Sequence, residues 1–407
     1  MIQKKDLKTL CLVMCGNLLD YYDFLLFAHL GCIVTGCFIP NLDPTRTHLL
    51  SLLLFSLPFV IRPIGGYIFG RLADFQGRPY ALGETLKLAS IASFGTALLP
   101  SYEVIGITGA WFFLMLRSMQ GLSLGGEYTT AGTYLMEKYG NHRGLLSGLL
   151  CASGTVGSLI AFFISCLCLY EYLPTYSWRI AFLMGGIATS ITYRLRKRLR
   201  SEITPLESSE ALLFALPHKT AILIILLVGA LVGVSTWIPM MYSNFYLTKV
   251  LDYPLLTGLQ ATFIALIGYI ILTPLAGYLA DRFSARLVMT SGALLATPLS
   301  AIGYFLIIRG HLSGQFFLIL SASIFGAPIH VLMNKLLPAH CRSRYINTFF
   351  SLGLSVGSLA PSLSGYLSTA YQIHHTPIVV ITGVSLLTFF FFYKSFFIFQ
   401  RPRGMAV

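Results

Sequence analysis

The chain has 407 residues, of which 56% are hydrophobic, 14% aromatic and only 11% charged. Soluble proteins carry about a quarter charged residues, so this chain has too little charge to cover a water-soluble fold, and it reads as an all-α integral membrane protein. The net charge of +13 does not indicate nucleic acid, because the basic residues lie between apolar runs and form no patch with interleaved aromatics.

A spanning helix needs about 20 mostly apolar residues. Such runs are predicted near 9–39, 48–72, 81–100, 104–134, 144–170 and 178–195. The basic break "YRLRKRLRSE" follows, and a second set is predicted near 219–249, 257–280, 286–308, 313–334, 345–371 and 376–399. The expected organisation is a six-helix bundle over 1–195, a cytoplasmic linker over 196–218 and a second six-helix bundle over 219–407. The opening "MIQKKDLKTLCLVMCGN" has the basic end of a signal peptide. Its apolar run continues past residue 30 without a small-residue cleavage site, and is read as a retained first helix.

With an inside start, 21 of the 28 Lys and Arg residues fall on cytoplasmic segments and 4 (Arg46, Arg179, Lys249, Arg309) on outer loops. That asymmetry predicts both termini in the cytoplasm. The expected location is the plasma membrane, or the inner membrane of a Gram-negative cell, with the chain a monomer in the bilayer. The eight cysteines lie mainly inside apolar runs (Cys11, Cys15, Cys151, Cys166, Cys168) and lack CxxC spacing. Helix packing is the better reading than metal or redox chemistry, and no metal or cofactor is expected.

Seven ionisable residues other than His fall inside predicted spans: Asp20, Asp23, Arg62, Glu84, Lys87, Arg117 and Glu127, all in the first half. A charge at the bilayer centre costs about 2.5–3.5 kcal/mol on the lenient insertion scale, so these groups need a cavity or a partner. Glu84 and Lys87, one turn apart, read as a local snorkelling pair, and Arg62, before Pro63 and two glycines, as structural. On the first helix Asn17, Asp20, Tyr21 and Phe24 share a face, with Asp23 rotated about 60° from Asp20. On the fourth, Arg117 and Glu127 lie about 15 Å apart along the axis, with Gln120 in the small-residue stretch "QGLSLGG" between them. A buried acid can carry a proton and a nearby arginine can reset it. Asp23 and Glu127 are preferred over Asp20 for that role, against the alternative of a fixed ion pair. The second half offers neutral groups at depth: Asn244, Gln260, His330 and Asn334. Trp237, Tyr242 and Tyr246 are placed to line a cavity or sit at the outer interface.

"GRLADFQGRP" (70–79) is echoed by "GYLADRFSAR" (277–286), and "VGSL" occurs at both 156–159 and 356–359. Each pair falls at the same helix number in its half, at offsets of 207 and 200 residues, which indicates parallel internal repeats with a substrate site between them. With "GNLLDYYDF" (16–24), "RPIGGYIFGRLAD" (62–74), "RSMQGLSLGGEY" (117–128) and "SWRIAF" (177–182), the chain resembles the major facilitator superfamily over nearly its whole length. More narrowly it is similar to the metabolite:proton symporters, which include carriers of proline, betaine, citrate, 2-oxoglutarate and shikimate. The resemblance implies the twelve-helix, two-bundle fold and a cytoplasmic gate built on the repeated loops. In that gate Gly70 and Gly77 permit close contact and a tight turn. Asp74, with Arg78 behind it, accepts hydrogen bonds at the N-terminus of the eleventh helix near Arg344. Asp281, with Gly277 and Arg282, does the same for the fifth helix near Arg143. Phe75, Pro79 and Ser284 depart from the pattern, which implies a weaker latch.

Three functions compete. A proton-coupled importer of a small polar metabolite, an amino acid, betaine or carboxylate, working by alternating access, is favoured. A proton-exchanging exporter fits less well, because the fifth helix lacks the proline of many exporters. A membrane sensor lacks an appended soluble domain, and no nucleophile triad, phosphate loop or metal motif suggests an enzyme.

Overall fold

Lipid offers a backbone no water to bond to, so a spanning segment must close its own hydrogen bonds. The computed structural model describes residues 4–40, 44–170, 172–174, 176–197, 219–371 and 376–399, with no strand among them. The linker expected over 196–218 lies outside the described residues from 198 onward, as do Arg401 and Arg403. The long helices are α1 (Lys4–Phe38), α2 (Pro44–Gln76), α3 (Arg78–Leu98), α4 (Ile107–Lys138), α5 (Arg143–Cys168) and α6 (Ser177–Lys197). They continue with α7 (Lys219–Trp237), α8 (Leu255–Arg282), α9 (Ala285–Ile308), α10 (Gly314–Gly326 with Ile329–Leu336), α11 (Arg342–Ser358 with Ala360–Ala370) and α12 (Thr376–Phe399). These are the twelve predicted runs, with ends shifted by a turn or so.

Where the rods break, the sequence supplies the cause. Pro328 sits between the halves of α10, and Pro361 follows the break in α11; each lacks an N–H and crowds the preceding turn. After α7 the chain continues as π-helical turns, Ile238–Tyr242 and Tyr246–Val250, and Pro239 opens the first of them. Gly77, at φ 93°, makes the turn from α2 into α3 that a side chain would strain.

The chain divides into two compact units. One takes Met1–Lys138, Ser153–Leu213 and Ala339–Thr348; the other takes Tyr139–Ala152, Phe214–Pro338 and Phe349–Val407. In the first, α4 runs against α1, α2 and α3, while α6 packs on α1 and α3. In the second, α10 packs on α8 and α9, and α12 on α7 and α9. Each unit thus includes a short stretch from the opposite half of the sequence, the starts of α5 and α11.

Helix packing accounts for only part of the cysteine content. Cys151 and Cys341 are buried, but Cys11, Cys15, Cys32 and Cys166 are exposed, where lipid tolerates a small apolar thiol.

Candidate functional site

On α1, Asn17, Asp20 and Asp23 are each no more than 5% exposed, so two carboxylates are fully withdrawn into the first unit. Asn17 Nδ2 donates to Ser153 Oγ on α5 at 2.9 Å, and the Tyr21 ring meets Tyr128 edge-on. Asp23 accepts at 2.7 Å from Ser93 Oγ on α3 and at 2.7 Å from Gln120 Nε2 on α4. The carbonyl end of Gln120 takes a hydrogen bond from Arg117 Nη1. One amide therefore bridges an acid and a guanidinium that make no direct ion pair. Arg117 is completely buried, with its guanidinium carbon 4.0 Å above the Phe27 ring. Among the described residues its Nε and Nη2 have no hydrogen-bond partner. A planar cation with two spare donors is suited to a carboxylate.

Asp20 is held less well. Its donor is Ser123 Oγ, 3.4 Å from each carboxylate oxygen, and that hydroxyl lies closer, at 3.0 Å, to the Thr85 carbonyl. Asp20, Asp23, Gln120 and Ser123 line one cavity with Phe24, Ala89 and Leu124, with room for about one water molecule.

Glu127, within electrostatic reach of Asp20, has partners of its own. Its Oε1 pairs with Arg196 Nη2 at 2.6 Å, both side chains being 1% exposed, and its Oε2 accepts from Thr85 Oγ1 at 2.7 Å. Arg196, expected in the cytoplasmic linker, instead closes the last turn of α6 inside the unit. It also donates to the carbonyls of Leu12 and Val13 on α1 and Leu82 on α3. The stretch cannot be a solvated loop here because α6 carries its buried face on to this residue. Removing one partner of such a buried pair costs about 3–5 kcal/mol.

The repeated loops place their acids on helix starts. Asp74 accepts from the backbone N–H groups of Ser343 and Arg344 at 3.0 and 2.9 Å. Asp281 accepts from those of Gly144 and Leu145 at 2.6 and 2.8 Å. A Cβ on Gly70 would meet the backbone of Ser343 and Arg344, and one on Gly277 that of Gly144, so the glycines set the close approach. Arg78 binds Asp74 at 2.9 Å, Glu137 and the Ala339 carbonyl, and Arg342 reaches Glu137 at 2.8 Å. The other gate arginines do not reach the acids. Arg143 bonds the Tyr139 carbonyl, while Arg282 and Arg344 lie over Tyr278 and Tyr345.

Glu84 and Lys87 form the local pair, at 3.7 Å. Arg62 is buried on α2. In the second unit Tyr242 and Tyr246 belong to an apolar core with Tyr304, Ile307 and Leu318, and Trp237 is also buried, so these rings do not sit at an outer interface. Tyr242 bonds Ser368 there. Asn334 donates to the His330 carbonyl within its own helix, and Gln260 is exposed.

Residues 8–195 match the family described as "Sugar (and other) transporter", and residues 254–405 match the "Major Facilitator Superfamily". The chain belongs to the major facilitator superfamily. It is a secondary transporter of a small molecule, not an enzyme. It is 28% identical to the glycine betaine/proline/ectoine/pipecolic acid transporter of Dickeya dadantii, over 94% of this chain and 82% of that one. It is equally similar, with the same coverage, to the proline/betaine transporter of Escherichia coli K12. Among solved structures, a proton:xylose symporter bound to 6-bromo-6-deoxy-D-glucose superposes with a TM-score of 0.72 at 16% identity, covering 95% of each chain. A bacterial homologue of the iron transporter ferroportin gives 0.73 at 15% identity, over 95% of this chain and 98% of that one.

Within this superfamily member, sequence reasoning missed Ser93, Ser123, Thr85, Glu137 and Arg196. The hydroxyls carry no signal that separates them from ordinary helix-packing serines and threonines. Arg196 does have one. Trp178, Ala181, Phe182, Gly185, Gly186, Thr189 and Thr192 form a buried stripe at helical spacing, and the next position on that stripe is Arg196.

Proposed function

We propose that this transporter imports a small zwitterion of the amino-acid or betaine class together with a proton. The observation that carries the reading is the buried cluster of the first unit. Three carboxylates (Asp20, Asp23, Glu127) face two guanidiniums (Arg117, Arg196), so with every group ionised the cluster is one positive charge short. A bound proton supplies it, and the cost of uncompensated buried charge drives its uptake. Asp20 is the assigned proton carrier, because its one donor among the described residues is distant, whereas Asp23 has two good donors and Glu127 has an arginine. Arg117, with two unpartnered donors beyond Gln120, is assigned the substrate carboxylate. Substrate binding at Arg117 then bears on Asp23 through Gln120, and on Asp20 across the shared cavity. The named substrates of the similar transporters, proline and glycine betaine, fit an arginine that receives a carboxylate.

The remaining assignments follow the same reading. Asp74 and Asp281 act as gate acids whose helix-end contacts break and re-form in alternating access, and the termini lie in the cytoplasm of the plasma or inner membrane. The test is uptake by proteoliposomes of labelled proline, glycine betaine and a dicarboxylate, with and without an imposed pH gradient. Wild type is expected to concentrate proline or betaine only with the gradient. Asp20→Asn is expected to lose that accumulation yet retain substrate counterflow, since the amide mimics the protonated acid without its charge. Arg117→Ala is expected to lose both. Gradient-driven accumulation by Asp20→Asn equal to wild type overturns the assignment.

A further inference from the structure

Arg196 has no assigned role, yet it is a fully buried cation held at each of its three nitrogens. Its Nε donates to Leu12 O at 3.0 Å, its Nη1 to Leu82 O at 3.2 Å and its Nη2 to Val13 O at 2.7 Å, and Nη2 also forms an ion pair with Glu127 Oε1 at 2.6 Å. Three of its five N–H groups are thereby used on backbone carbonyls. The carbonyls belong to helix interiors and fix the guanidinium against α1 and α3, with the carboxylate of α4 as its counter-ion. Space for the pair is built into the sequence: a Cβ at Gly16 would collide with both the Arg196 guanidinium and Glu127 Oε1. Arg117, by contrast, keeps two donors without partners. One buried arginine is thus locked and the other has donors to offer.

The charged and titratable groups around the locked arginine are few. From α4 comes Glu127, from α1 Asp20 and Cys15, both within electrostatic reach, and from α3 only the Leu82 carbonyl and the Thr85 hydroxyl that bonds Glu127. Asp20 and Glu127 are therefore near neighbours that compete for compensation, and Glu127 has it.

We propose that Arg196 is a positioning residue of proton coupling: it is the permanent counter-ion of Glu127, and by satisfying that acid it confines the exchangeable proton to the acids of α1. The inference rests on the proton-coupled reading above. If Arg196 is lost, Glu127 becomes a second uncompensated buried carboxylate, and the proton meant for Asp20 is trapped on it. If both partners are neutralised together, no uncompensated acid is created and the proton returns to α1.

The experiment compares Arg196→Gln, Arg196→Lys and the double variant Glu127→Gln/Arg196→Gln in proteoliposomes, reading pH-gradient-driven accumulation, its pH profile and substrate counterflow. Arg196→Gln is expected to lose accumulation at least about tenfold with its pH profile displaced, while Arg196→Lys loses less. The double variant is expected to recover accumulation and the wild-type profile. If Arg196→Gln does not reach the membrane, the double variant still decides. Failure of a well-inserted double variant to accumulate substrate overturns the proposal, because Glu127 then carries the proton itself. Wild-type accumulation and pH profile in Arg196→Gln overturn it equally. Either result with Asp20→Asn uncoupled as expected removes only the role of Arg196, whereas an Asp20→Asn protein that still concentrates substrate removes the underlying reading.

Discussion

Asp74 takes two backbone N–H groups at the start of α11 and also the guanidinium of Arg78, while Asp281 takes two backbone N–H groups at the start of α5. Hydrogen bonds to a charged group contribute about 1.5–3 kcal/mol, and about 1.4 kcal/mol is a tenfold change in an equilibrium. With the ion pair added, the first contact is the stronger of the two, and on the gate reading proposed above it is the stronger latch. Asp74→Asn is therefore expected to lower initial uptake about tenfold or more at unchanged membrane abundance, and Asp281→Asn by less. Cys341, 2% exposed and directly before α11, reports the state of this end. In a variant that keeps it as the only cysteine, Asp74→Asn is expected to raise its maleimide labelling severalfold. Labelling and uptake at wild-type levels would remove Asp74 from the gate. The acid-on-helix-start geometry was legible because a Gly-to-Asp spacing occurs twice, at matching helix numbers. The arginines beside the acids misled, since a charge close in sequence to an acid can point along its own helix, as Arg282 does over Tyr278.

Glycine spacing sets the crossing of α2 and α4. A Cβ at Gly121 would meet the backbone of Pro58, one at Gly125 the Arg62 carbonyl and Gly66 nitrogen, and one at Gly65 the backbone of Leu122. Small residues four apart let two backbones approach closely in lipid, where packing rather than hydrophobic burial holds helices together. The same contact places Arg117, Gln120 and Ser123, which lie on α4 just before and within the crossing. Gly125→Leu is expected to destabilise the protein by about 1–3 kcal/mol through overpacking. The check is the midpoint of thermal aggregation in detergent, alongside lost uptake, with Gly383→Leu unaffected because a Cβ there meets nothing within 4 Å. Equal stability of the two variants would show that the crossing tolerates separation. Hydropathy revealed the twelve helices because an apolar run is a property of neighbouring residues. It could not reveal that Ser93, Ser123 and Thr85 face the acids, because the meeting of α1, α3 and α4 is set by how these helices pack, at separations of 38 to 103 residues.

At the scale of the molecule, seven helices among the described residues are long and apolar enough to be recognised as spans by length and composition. Of the other five, α12 qualifies only as a shorter apolar helix over Thr376–Phe392, and the remaining four carry charge. α3 carries Arg78, Glu84 and Lys87, α4 carries Arg117 and Glu127, α6 ends on Arg194, Arg196 and Lys197, and α11 opens on Arg342 and Arg344. A bilayer accepts such helices when the charges are paired or buried against neighbours, as Glu127 with Arg196 and Arg78 with Asp74 and Glu137 are. Twelve spans is an even number and puts the two ends of the chain on one side. On the orientation proposed above that side is the cytoplasm, as the 21-to-4 distribution of Lys and Arg favours; taking the buried Arg196 out leaves 20 to 4 and the same sign. A fluorescent protein that matures only in the cytoplasm, fused after Val407, is expected to be bright, and a phosphatase that folds only outside it to be inactive there. A phosphatase fused at Arg309, between α9 and α10, is expected to be active. An active phosphatase at Val407 would mean an odd number of spans or an inverted chain, and an inverted chain would move Asp74, Asp281 and Arg196 to the outer face.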